Sequence, residues 1–509
     1  MTQNLYPLID DFPRGVTTRE LDKQKVPMSA WANPAGILSS KALAWEPSKI
    51  LLGAVGDYLV GVKDDRHICT IAGSRAGKGV SAIIPNLIHY QGSVLAIDPK
   101  GELANITAQR RAEGLGQTVC VLDPFDRTAP WVAKYKKSYN PLSILKPDNP
   151  TIIEDAGLIS DALIIASSHS DPHWDDSARS FIEGVILHVA TYGGYEGVRD
   201  LVTVHSLLTK GKAGLQVDDE DGLLQEVIQE MKYNAESLEN EDVADSILAA
   251  ALDFSERPDR EKGSVLSTIR RHLRFLGYRA LKNVLQDHDF DLTALKTAPG
   301  GMTIYLCLPA GRMGTCNRWL RLFINLALEA MEREDYKPDP PVLFCLDEFA
   351  ILGHMKQIED AAGQIAGFGV KLWPILQDLS QLKTLYTERW ETFMGNSGVL
   401  QFFGNNDVTT LEYIQKRLGK TPVKTRRESD SPEKALGGGS RGLEMHDLIT
   451  AEEAGRYFSR NDPKKRQLVI WAGKDPMVLE RVEYHDEKSP VSRYFKGKFN
   501  DWKGEKAGG

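Results

Sequence analysis

The chain has 509 residues, 42% hydrophobic and 26% charged, with 62 Lys and Arg against 70 Asp and Glu for a formal charge of −8. That length accommodates roughly two to four domains with sizeable cores, and that charge excludes a uniformly basic surface for coating a duplex, so any nucleic-acid contact has to be local. The best apolar run, Ile50 to Gly61, is short and holds Asp57, far below the roughly 18–20 residues that span a bilayer.

The first residues, MTQNLYPLIDDFPRG, show neither the basic nor the apolar region of a signal peptide. Residues 1–48 are rich in Pro, Asp and Ser without a sustained period and read as an N-terminal extension. From Ile50 come short β-rich runs, ILLGAVGDYLVGV, HICTIAG and SVLAID, with helical patterns after the second and third. This is the alternation of a parallel α/β sheet, and it occupies residues 49–148. Between 149 and 290 the strands give way to segments with apolar residues three and four apart, an all-α insertion large enough to form its own lobe. Strand texture returns over 291–485 with GMTIYLCLPA, PVLFCLDEF, GVKLWPILQ and VLQFFG, and later with KRQLVIWAG and MVLERVEYH. Within that part TPVKTRRESDSPEKALGGGSRG reads as a mobile loop, and residues 486–509 read as a loose tail. The five cysteines, Cys69, Cys120, Cys307, Cys316 and Cys345, form no CxxC pair. They read as buried, reduced thiols, supporting neither a zinc site nor a disulfide framework.

The run HICTIA leads into GSRAGKG and then a helical pattern. A glycine-rich turn between strand and helix offers backbone N–H groups to phosphate oxygens, and Lys78 supplies a point charge. Gly73, Ser74, Arg75, Ala76, Gly77, Lys78, Gly79 and Val80 are the candidate nucleotide contacts. The pattern G-x4-G-K-[ST] is met imperfectly: its first glycine falls at Ala72, and its magnesium-binding hydroxyl falls at Gly79. Ser81 lies about 200° round a helix from that position and does not simply replace it.

PVLFCLDEFAILG is an apolar run ending in two carboxylates, as for a buried parallel strand with its C-terminal end at a ligand face. Asp347 is the candidate for ordering Mg²⁺, and Glu348 for orienting and deprotonating an attacking water. The pair would also suit a plain helix start. The next strand ends at Gln377, whose amide is placed to bond a γ-phosphate or the water, or simply to open a helix. Asp98 precedes Pro99 and reads as an N-cap at least as well as a nucleotide contact.

Two charged segments stand apart. Residues 218–260 hold fourteen acids and three bases, which suits either a solvated helical face or a docking surface for basic cargo. In TIRRHLRFLGYR, Arg270, Arg271, Arg274 and Arg279 alternate with Phe275 and Tyr278. That pattern fits an amphipathic helix or a grip on single-stranded nucleic acid.

Several separated strings together resemble one family, the type IV coupling proteins of bacterial conjugation and type IV secretion. They are RHICTIAGSRAGKGVSAIIPNL, VLAIDPKGELANITAQRRAEGLGQTVCVLDPF, LFCLDEFAILGHM, FGVKLWPILQDLSQLKTLY, GNSGVLQFFGNND and LITAEEAGRYF with QLVIWAGKDPMVLERVEYH. The resemblance implies a RecA-like P-loop NTPase core with an inserted all-α domain. It implies ATP and Mg²⁺ as cofactors, catalytic roles for Lys78, Glu348 and Gln377, and Asp347 as the metal residue. It also implies a homo-oligomeric ring, usually of six subunits, that drives single-stranded DNA with its relaxase, or effector proteins, into a secretion channel. Family members usually begin with transmembrane helices. This sequence shows none, which points to a cytoplasmic protein recruited to the inner membrane by a separate subunit or through residues 1–48. Alternatives are a cargo receptor with little ATPase activity and a DNA pump unconnected with secretion. The helix after the acidic strand contains no arginine, so Arg75, Arg312, Arg318 and Arg389 all stand as candidates for a charge supplied in trans.

Overall fold

The computed structural model describes residues 28–165, 172–211, 220–427 and 440–500. Its centre is an eleven-stranded sheet built from β1 (Ile50–Val55), β2 (Tyr58–Val62), β3 (His67–Ala72), β4 (Val94–Asp98), β5 (Thr118–Leu122), β6 (Met302–Cys307), β7 (Val342–Leu346), β8 (Val370–Leu376), β9 (Ser397–Phe403), β12 (Arg466–Trp471) and β13 (Met477–Glu480). The order across the sheet is β2-β1-β13-β12-β9-β3-β8-β7-β4-β6-β5. From β9 to β5 neighbouring strands are parallel, whereas β12, β13, β1 and β2 add an antiparallel flank. β3, β4, β7, β8 and β9 are buried along their whole length, because helices cover both faces of a parallel sheet and leave no wet side. This is a RecA-like P-loop α/β core.

The crossover from β5 to β6 carries the helical lobe: α1 (Ile152–Leu163), α2 (Pro172–Thr191), α3 (Leu201–Lys210), α4 (Glu220–Ser237), α5 (Glu241–Glu256), α6 (Asp259–Leu273) and α7 (Arg279–Leu285). No strand lies within 149–290 among the described residues. Phe181 of α2 stacks on Phe254 of α5 with centroids 4.2 Å apart, within an apolar cluster that runs continuously from the lobe onto one face of the sheet. The lobe is tied to α8 (Ala310–Arg333), the helix after β6. Arg333 bonds the buried Asp155, and Arg318 donates to the Leu163 carbonyl and meets His272 Nδ1 at 2.8 Å.

Four sequence expectations are changed or extended here. Residues 421–427 and 440–442, expected as ends of a mobile loop, belong to β10 (Lys420–Arg427) and β11 (Ser440–Asp447), paired antiparallel from Lys420↔Asp447 to Arg427↔Ser440. The β-branched residues Thr421, Val423 and Thr425 alternate there under a cover of charge that masks the period. Residues 428–439 lie outside the described part. The described end of the N-terminal extension docks on the sheet: Ala44 bridges Val60, and Trp31 is buried. In the tail, Phe495 is buried, Asn500 donates to the Ile106 carbonyl, and only 501–509 lie outside description.

The fourth change concerns Asp98. The helix after β4 starts at Glu102, with Gly101 at its N-cap position in the left-handed region, so Asp98 is not the N-cap residue. Its carboxylate still receives Ala104 N–H at 2.9 Å, because the intervening turn folds the helix start back over the strand end.

All five cysteines are free and buried. Phe275 is 1% exposed and sits in the core, whereas Arg271, Arg274 and Arg279 are exposed, so the helix pattern, not a stacking platform, accounts for Phe275. In the acidic segment Glu236, Glu239, Glu241, Asp242 and Asp245 are exposed, whereas Glu230 is turned inward to accept from the Tyr195 hydroxyl at 2.5 Å. Asp218 and Asp219 lie outside the described residues.

Candidate active site

β3, β8 and β7 are consecutive and parallel, so their C-terminal ends open on one edge of the sheet. That topology puts the glycine-rich loop after β3, Gln377 after β8, and Asp347 and Glu348 after β7 side by side. A cavity of about 350 Å³ lies there, lined by Gly73–Val80, Asp98, Pro99, Lys100, Glu102, Leu103, Asp347, Glu348 and Gln377. Every proposed nucleotide contact from the sequence is on its wall.

The loop is held from behind. A Cβ on Gly73 would stand 1.8 Å from the Gly404 carbonyl oxygen, and Gly73 N–H donates to Phe403 O at 3.1 Å. The loop therefore lies directly on the turn that ends β9. Arg75 (φ +57°) and Gly77 (φ +88°) take left-handed backbone conformations. Alternation between the right- and left-handed regions turns successive N–H groups to one side, making an anion-binding concavity. The chain then enters a π-turn over Gly79–Ile83 before the α-helix Ile84–His89. Ser81 donates its hydroxyl to the Gly77 carbonyl at 2.8 Å, so it is committed to the backbone. A Cβ at Gly79 meets nothing within 4 Å.

Lys78 Nζ is 2.9 Å from Asp347 Oδ1 and 2.6 Å from Glu348 Oε1. Burial acts to lower the ammonium pKa, but Asp347 and Glu348 outweigh it and the net shift is upward, so Lys78 stays charged. Burial pushes the Asp347 carboxyl up against the opposing pull of Lys78. Gln377 Nε2 donates to Glu348 Oε2 at 3.1 Å, and Glu348 itself is strained, with φ +52°. The geometry thus joins Lys78, Asp347, Glu348 and Gln377, residues spread over 300 positions, into one contiguous polar chain.

The residues fit a magnesium–nucleotide ligand. The nest and Lys78 suit phosphate oxygens, and Mg²⁺ in such sites takes one or two carboxylates plus phosphates, not an all-protein cage.

Of the four candidate trans arginines, Arg75 is exposed on the loop itself and Arg312 is exposed at the start of α8. Arg318 is committed to the lobe junction, and Arg389 pairs with Glu359 at 2.7 Å. The sequence reading missed Gly404 and Asn405, whose side-chain amide donates to the Gln377 carbonyl at 3.3 Å. The string GNND after an apolar strand was the available signal.

Asp98 yields a pH prediction. Burial pushes its carboxyl up to about 7, against the pull of backbone N–H groups of residues 104, 103 and 100. From its ordinary value of 3.8 up to 7 the folded chain binds more protons here than the unfolded chain. The Asp98 contribution to stability therefore falls as pH rises and levels off above 7. Asp98→Asn keeps an acceptor for Ala104 N–H. Urea titrations should show it gaining on the parent from pH 4 to pH 8, by at most about 4 kcal/mol. A pH-independent difference would contradict this.

Residues 22–504 match the family model described as type IV secretory system conjugative DNA transfer. The chain belongs to that family. Among its relatives is the conjugal transfer protein TraG of Escherichia coli, 25% identical over 370 residues, covering 70% of this chain and 55% of the relative. Protein VirD4 of Agrobacterium fabrum is 25% identical over 448 residues, covering 85% of this chain and 60% of the relative. The chain thus spans under two thirds of the length of these relatives. A solved structure of the plasmid coupling protein TrwB with the non-hydrolysable ATP analogue ADPNP superposes with a TM-score of 0.64 at 14% identity, covering 90% of this chain and 94% of that one. At that identity the likeness speaks for the fold, including the helical domain beside the P-loop core. Among the described residues no helix is long and apolar enough to cross a membrane.

Proposed function

We propose that this chain is an ATP-driven coupling protein, binding ATP with Mg²⁺ in the Lys78 cavity and hydrolysing it to move cargo toward a type IV secretion channel. The observation that carries the reading is the contact of Lys78 with both Asp347 and Glu348, with Gln377 on the far oxygen of Glu348. Solved structures of the plasmid coupling protein TrwB are complexes with an ATP analogue and with ADP and Mg²⁺, which supports the same ligand here.

The loop amides and Lys78 bind and neutralise phosphate oxygens. Asp347 would hold Mg²⁺, which would supply charge neutralisation at the phosphates, with no hydroxyl offered by Gly79. To meet a phosphate, Lys78 leaves Glu348, which frees Oε1 to accept a proton from water. Gln377 keeps Oε2 fixed, so the base turns only one oxygen to the reaction. Hydrolysis therefore depends on a rearrangement that nucleotide binding itself demands.

The family relationship supports finer parts of the reading: a ring of subunits, cargo of relaxase-bound single-stranded DNA or effector protein, and recruitment to the inner membrane beside channel subunits. The exposed acids of α4 and α5 offer a surface for basic segments of such cargo. The test is binding of a fluorescent ATP analogue with Mg²⁺. Saturable binding by the parent and a loss of about 100-fold or more in Lys78→Ala are expected. Equal binding by both would reject the site. Stimulation of turnover by single-stranded DNA, compared with stimulation by relaxase or effector, distinguishes the cargo classes.

A further inference from the structure

The C-terminal strand β13 is followed by Arg481, which is 5% exposed. Its guanidinium donates through Nη1 to the Ala76 carbonyl at 2.7 Å, through Nη2 to Arg460 O at 3.2 Å and Ser459 O at 3.4 Å, and through Nε to Lys465 O at 3.3 Å. The guanidinium carbon lies 5.3 Å from the centre of the Phe403 ring. Every acceptor is a main-chain carbonyl. Buried arginines ordinarily pair with carboxylates. Here the planar fork instead gathers the phosphate loop, the turn after the helix Ala451–Tyr457, and the start of β12 around one cation.

The contact with Ala76 has a geometric consequence. In a trans peptide the carbonyl and the next N–H point in opposite directions. Drawing the Ala76 oxygen back toward Arg481 turns the Gly77 N–H to the other side, and Gly77 lines the cavity. The same peptide is gripped on its flank, since a Cβ at Gly404 would stand 2.4 Å from Ala76 Cβ. Tyr484 N–H also donates to Val80 O at 3.3 Å, so the segment after β13 reaches both the middle and the C-terminal end of the loop.

We propose that Arg481 is a positioning residue for nucleotide binding: from 405 positions downstream it sets the direction of the phosphate-loop amides. The consequence for nucleotide rests on the reading of this loop as the phosphate site. The effect on the loop itself does not. A lysine at 481 keeps the charge but lacks the fork, so it holds at most part of the carbonyl set.

Hydrogen exchange on the full chain without nucleotide, combined with titration of Mg²⁺ and the fluorescent ATP analogue, tests this for Arg481→Met and Arg481→Lys. The expected result is exchange about tenfold faster in peptides covering 73–80, unchanged exchange in β6, and nucleotide affinity weakened about tenfold or more in Arg481→Met. Arg481→Lys should fall between Met and the parent, and it decides the matter if Arg481→Met does not fold. Loop exchange equal to the parent in the folded variants overturns the proposal, and so does acceleration spread evenly through the sheet, which would make Arg481 a general fold residue. If the parent binds no nucleotide while the loop alone loosens in the variants, the positioning role stands and the ATP reading fails.

Discussion

Glu348→Gln is expected to hold ATP and to stop hydrolysing it, with turnover reduced by roughly 10²–10⁴-fold, the range in which a positioned general base contributes. The substitution is nearly isosteric. Gln377 can still donate to the new amide oxygen, and Lys78 keeps Asp347 at 2.9 Å. The lost property is the capacity to take a proton from water. Binding of the fluorescent analogue within a few-fold of the parent, together with collapsed phosphate release, is the expected pair of readings. Collapse of both would mean that Glu348 supports the site's structure, and persistence of both would place the base elsewhere.

Gly73→Ala should be the most damaging single methyl in the loop. The added carbon would lie 1.8 Å from the Gly404 carbonyl oxygen and 2.7 Å from its carbon. Both are backbone atoms, so no side chain can swing aside. Either the loop or the β9 turn has to move by an ångström or more, and a displacement of that size in a binding loop costs about 10²-fold. Gly79→Ser is the control, because its Cβ enters open space. Calorimetric titration with ADP and Mg²⁺ should show Gly73→Ala binding about 100-fold more weakly and Gly79→Ser retaining affinity. The reverse ranking would mean that the loop's seat on Gly404 is unimportant.

The strands that build the site were readable because each is an uninterrupted apolar run closed by a chemically distinctive residue: HICTIA by the glycine loop, VLFCL by Asp347 and Glu348, VKLWPIL by Gln377. Adjacency was not readable from those runs. It comes from β8 lying between β3 and β7, a long-range pairing that brings Gln377 to Glu348. The β10–β11 hairpin escaped notice because its alternation is buried under lysines, arginines and a glycine run. The docking of the tail escaped because its anchor, Phe495, stands among Lys and Gly. Arg481 left no pattern at all: its partners are carbonyls, which every residue possesses, in segments far apart in the chain.

The proposed function stands or falls with ATP hydrolysis in the cavity around Lys78. Phosphate release by the purified full chain with Mg²⁺ and ATP, with and without single-stranded DNA, measures it directly, with Lys78→Ala and Glu348→Gln alongside. The parent should release phosphate, and both substitutions should abolish that release. Folded parent protein that releases no phosphate under any of these conditions, or release that survives Lys78→Ala, would contradict it.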